Sequence, residues 1–61
     1  MVTGYFFHDS KRTISRDFGD VVRLETLTAY ADKLGCHTFN TYDDGILEGW
    51  AKFADGWNYC G

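Results

Sequence analysis

Val21, Leu24, Leu27, Ala31 and Leu34 recur at spacings of three, three, four and three, which lines them along one stripe of a single α-helix. On both sides of this stripe the apolar residues alternate instead, in segments rich in aromatic and β-branched side chains. Val2 to His8, Thr13 to Phe18, His37 to Tyr42 and Ile46 to Phe53 each read as a strand. One amphipathic helix among alternating segments predicts an α+β domain. The expected order is ββαββ, an antiparallel sheet with the helix packed on one face.

The punctuation fits that order. Asp9-Ser10-Lys11-Arg12 is a polar tip between the first two strands, and Asp43-Asp44-Gly45 carries the Asp-Gly signal of a tight hairpin. Gly19-Asp20 reads as a break followed by an N-cap, since an aspartate oxygen accepts from the free amides of a first helical turn. Val21 and Val22 would also suit the end of a strand, which would place the helix start at Leu24. Gly35 follows the last apolar residue, where a left-handed C-cap favours glycine. A further turn is expected at Asp55-Gly56, after which Trp57-Asn58-Tyr59 either adds a short strand or lies across the sheet.

At 61 residues the chain is read as a single compact domain, residues 1–61. Such a domain buries only about 60% of the surface that its unfolded chain exposes. A core this small needs large side chains, and eleven residues are aromatic. There is room for seven or eight of them facing inward, on the order of what a two-layer domain of this length accommodates. The remainder is expected at the surface. In the fourth strand Leu47, Ala51 and Phe53 are expected to meet the helix stripe. Ile46, Glu48, Trp50 and Lys52 then share the opposite face, where Trp50 is either covered by Trp57 or Tyr59 or left as part of a binding surface.

The charge is uneven. Residues 1–23 carry a net +1 and residues 24–61 a net −4, for −3 overall. This balance does not suit a generic nucleic-acid binder, which needs cations to displace counterions from phosphates. No apolar run approaches the ~18 residues of a membrane span, and MVTGYFFHD lacks the features of a signal peptide. The chain is therefore expected in the cytoplasm, that of a host cell if it is phage-encoded. There Cys36 and Cys60 are expected as free thiols; a disulfide between them would staple the tail to the domain.

The residue types that carry chemistry do not fall into working patterns. His8-Asp9-Ser10 has the members of a hydrolytic triad, but consecutive residues cannot line up as nucleophile, base and orienting acid. Cys36 and His37 are adjacent on an extended segment and point apart. His8, Cys36, His37 and Cys60 are zinc-ligand types without zinc-ligand spacing. The glycines do not form a phosphate-binding loop. No catalytic residue, metal site or cofactor is expected.

What remains is binding. The first reading is a small, acidic, non-enzymatic protein-binding domain, an inhibitor or modulator of a nucleic-acid-handling protein, whose partner presents a basic surface. Its expected contact residues are Tyr42, Asp43, Asp44, Glu48, Trp50, Asp55 and Trp57, aromatics rimmed by carboxylates placed where phosphates would sit. Acidic domains of this size recur among phage-encoded inhibitors, anti-CRISPR proteins included, a likeness of size and charge that rests on no motif. The second reading is a single-stranded nucleic-acid binder using Lys11, Arg12 and Arg16 with Tyr5, Phe7 or Trp50 as stacking platforms. The third is a structural subunit that forms a homodimer through a sheet edge or face.

Overall fold

The computed structural model describes residues 1–9 and 12–61, so Ser10 and Lys11, and with them the tip of the first hairpin, lie outside the described residues. The elements are β1 (Val2–His8), β2 (Arg12–Asp17), α1 (Leu24–Leu34), β3 (Thr38–Asp43), β4 (Ile46–Phe53) and β5 (Gly56–Tyr59). The strands form one antiparallel sheet in the order β2-β1-β3-β4-β5. The α+β class with one helix is thus observed. The order is ββαβββ rather than ββαββ, because the closing segment pairs with β4 instead of crossing the sheet. The ladder runs on past Tyr59, with the Cys60 N–H donating to the Gly49 carbonyl and the Gly49 N–H to that of Gly61.

The helix starts at Leu24, and Asp20 does not cap it. Arg23 is the residue before the first turn, in extended conformation (φ −85°, ψ 148°) and without a side-chain cap. The physical reason lies upstream. Val2 N–H donates to the Gly19 carbonyl and Phe18 N–H to that of Val2, so the backbone is held to β1 up to Gly19 and still runs extended at Arg23. Val21 is accordingly 84% exposed, while Val22 packs against the core in its place. At the other end Gly35 takes the expected left-handed conformation, φ 78°, and closes the last turn.

The core lies between α1 and one face of the sheet. Leu27 and Ala31 rest on Phe6 of β1 and Phe39 of β3, with Cys36 buried beside them. Around these an aromatic layer crosses the sheet: Phe18, Tyr30 and Phe6 at one end, then Phe39, Trp57, Trp50 and Tyr59. Gly4 makes room for it. A Cβ there would sit 2.8 Å from Phe6 Cε1 and 3.0 Å from Phe18 Cε2, closer than packed carbon atoms approach.

The faces of β4 are the reverse of the expectation. Asp44 and Gly45 form a two-residue loop with φ of 51° and 89°, the primed turn that suits a tight hairpin. This loop pairs Asp43 with Ile46 and, further along, Phe39 with Trp50. Phe39 is fully buried, so Trp50 must share its side. Leu47, Ala51 and Phe53, expected beneath the helix, point to the opposite face of the sheet.

Candidate functional site

The seven expected contact residues are divided between the two sides of the sheet. Trp50 and Trp57 face the helix side, where both pack on the Phe39 ring. Asp43 and Glu48 are on that side too. Tyr42 is on the other, edge-on to Tyr5 with ring centroids 5.3 Å apart. Asp44 and Asp55 occupy turns, and Asp55 accepts from Asn58 Nδ2 at 3.2 Å. They do not make the one acidic aromatic patch that sequence order suggests, because β4 is turned over relative to the expectation.

Four of them nevertheless bound a single groove or stand beside it. Asp43, Glu48 and Trp50 line a cavity of about 170 Å³ together with Val2, Val22, Leu24, Leu27 and Thr41, and Asp44 follows in the adjoining turn. The walls are apolar because the extended segment before α1 brings Val22 and Leu24 over the ends of β1 and β3. Its rim is acidic because Asp43 ends β3 and Glu48, paired with Thr41, stands two residues from Trp50 on the same face. Neither Asp43 nor Glu48 takes part in an ion pair among the described residues. Thr41 is only 4% exposed at the groove.

The carboxylate of α1 is differently placed. Asp32 accepts from Lys52 Nζ at 2.7 Å, and this hydrogen bond, opposed in part by desolvation, holds its pKa below the usual carboxylate value. The indole Nε1 of Trp57 is buried without a partner in hydrogen-bonding geometry, yet lies near enough to help lower the same pKa. Asp32 and Lys52 are thus satisfied by each other rather than open to a ligand.

Of the basic residues, Arg16 is on the helix side, its guanidinium 4.9 Å from the Tyr30 ring centroid and 5.5 Å from that of Phe18. Arg12, paired with His8, falls on the same side by alternation. Lys11 lies outside the described residues. No three His, Cys, Asp or Glu side chains come together as a metal-holding group among the described residues. Cys36 is a buried free thiol with its pKa raised by desolvation, and Cys60 an exposed one. No helix of the described residues is long and apolar enough to cross a membrane.

The sequence points to the opposite face of the sheet only in part, through Tyr5 and Phe7 as stacking platforms and Tyr42 as a contact residue. Tyr5, Phe7, Asn40 and Tyr42 surround a shallow depression of about 260 Å³; Leu47, paired with Tyr42, stands beside it at 48% exposure, and Phe53 stands out further along β4 at 60%. Asp17 is the one charged side chain that the strands direct to this face among the described residues, and it accepts from Thr3 Oγ1. The signal was available: a two-residue Asp44-Gly45 loop pairs 39 with 50, so placing Phe39 inside places Leu47 and Phe53 outside. Comparison with family models, with curated proteins and with solved structures finds no match to the chain.

Proposed function

We propose that this chain is a non-enzymatic protein-binding domain that receives a basic segment of its partner in the groove at Asp43, Glu48 and Trp50. The observation that carries this reading is the pairing of an apolar groove with two carboxylates that no cation among the described residues neutralises. A lysine or arginine side chain has the matching form. Its aliphatic stem covers apolar walls such as Leu24 and Val22, while its charged head reaches the rim. An arginine also stacks on a tryptophan face.

With Asp44 in the adjoining turn, the spaced carboxylates are suited to occupying a basic nucleic-acid channel, the action of an inhibitor or modulator of a nucleic-acid-handling protein. Binding of single strands by this chain is less well supported. That reading needs cations beside stacking aromatics, whereas Tyr5 and Phe7 lie on the opposite side of the sheet from Arg12 and Arg16, and Trp50, which shares their side, is packed against Phe39 and Tyr59.

The test begins with isolation of a partner from cells using the parent chain as bait. Asp43→Lys combined with Glu48→Lys should slow association with the purified partner by about tenfold and abolish its salt dependence, since rim charges act mainly on the association rate. Circular dichroism confirms that the variant is folded. Unchanged association by a folded variant would refute the reading.

A further inference from the structure

The two sides of the sheet differ in charge as well as in cover. Apart from Asp17, the strands direct no described charged side chain to the open face. Its large side chains are Tyr5, Phe7, Tyr42, Leu47 and Phe53. The open face of a one-sided antiparallel sheet is ordinarily polar; here Thr3, Thr13, Ser15, Thr38, Asn40 and Asn58 are interspersed with those large side chains, and large apolar side chains gathered on one face of a small protein mark a surface for contact.

Charge limits what that cover can be. A phosphate backbone needs cations, and the described residues of this face supply none. A basic partner needs carboxylates, and Asp17 on the edge strand is already engaged by Thr3. A second copy of this chain meets neither obstacle. Each copy carries a net charge of −3, which would oppose association through the acidic groove side. With the open faces together, the grooves and their carboxylates point away from each other.

We propose that two copies of this chain pair open face to open face, forming a two-fold symmetric sandwich with the sheets about 10 Å apart. The two longer extents of the molecule, 29 and 24 Å, set an upper limit of roughly 700 Å² on the projected area of the face, of the order of the ~800 Å² that each partner gives to an interface of standard size. The face also offers a knob and a hole. Phe53, the most exposed of its large apolar side chains, projects from β4, and the depression between Tyr5, Phe7 and Tyr42 receives the Phe53 ring of the other copy. In a two-fold pair this contact is made twice.

Sedimentation of the pure chain from micromolar to millimolar concentration tests the pairing. The parent should pass from monomer to dimer and no further, because the contact closes on itself. Phe53→Glu and Leu47→Glu, each at an exposed position, should raise the dimer dissociation constant by at least about tenfold while leaving the far-UV circular dichroism unchanged. Ala29→Ser, at an exposed position of α1 on the other side of the sheet, should leave it unaltered. A parent that stays monomeric at millimolar concentration overturns the proposal. So does a dimer that neither open-face variant weakens, or salt-sensitive retention of single-stranded oligonucleotides that Phe53→Glu abolishes. The groove is not involved in these measurements, so their outcome is separate from that of the partner test.

Discussion

Phe39 and Trp50 stack across the β3–β4 ladder, with ring centroids 6.4 Å apart and planes 16° from parallel. Phe39 is fully buried and also meets Phe6 and Trp57, so its ring links both halves of the aromatic layer. Phe39→Ala should cost about 3 to 5 kcal/mol. That is comparable with the whole stability of a small domain. Urea denaturation followed by tryptophan fluorescence should find the variant largely unfolded without denaturant; a loss under about 1 kcal/mol would remove Phe39 from the centre of the core.

Gly4 is held by space rather than by backbone conformation. A methyl group there meets the rings of Phe6 and Phe18 at 2.8 and 3.0 Å, and both rings are backed by edge contacts with Tyr30. Gly4→Ala should therefore destabilise by about 1 to 3 kcal/mol through overpacking. For a chain of this length, each kcal/mol lowers the thermal midpoint by about 4 to 8 °C. Calorimetry measures the drop, and a midpoint at or above that of the parent would show that the rings move aside freely.

The hydrogen bond from Lys52 makes Asp32 a stronger acid in the folded chain than in the unfolded one. A carboxyl with a lowered folded pKa contributes stability that is present above its unfolded value, about 3.9 for aspartate. This contribution is lost as the pH falls through the folded value. The group is largely exposed, so the effect is small. The urea midpoint of the parent should fall more steeply than that of Asp32→Asn between about pH 5 and pH 2. Parallel slopes would show that the pair contributes nothing.

Cys60 is exposed and Cys36 is buried with its pKa raised, and the thiolate is the reactive form. A thiol reagent at neutral pH should modify Cys60 promptly and Cys36 only at the rate of opening. Denaturant should release the second thiol. Prompt modification of both in the folded chain would mean that the segment between α1 and β3 is open to solvent.

The helix, its glycine cap and the Asp44-Gly45 hairpin were all legible in the sequence, because each is written in spacings and turn residues that act locally. The α+β class followed from those elements. The start of α1 was only partly legible: Val21 and Val22 suit a helix or an extended chain equally, and the hydrogen bonds of Phe18 and Gly19 to Val2, distant in sequence, decide for the extended form. β5 is only partly legible for a similar reason, since four residues carry too little pattern without the strand they pair with.

The side of the sheet that each residue occupies belongs to the tertiary structure. Alternation divides β4 into Ile46, Glu48, Trp50 and Lys52 against Leu47, Gly49, Ala51 and Phe53, and both sets are apolar enough to be buried. The sequence determined that there are two faces and that many large aromatics must be packed. The pairing of Trp50 with Phe39 selected the inner one, because the fully enclosed Phe39 ring gains most from a second ring beside it. This same selection carried Asp43 and Glu48 to the helix side and left Leu47 and Phe53 facing outward.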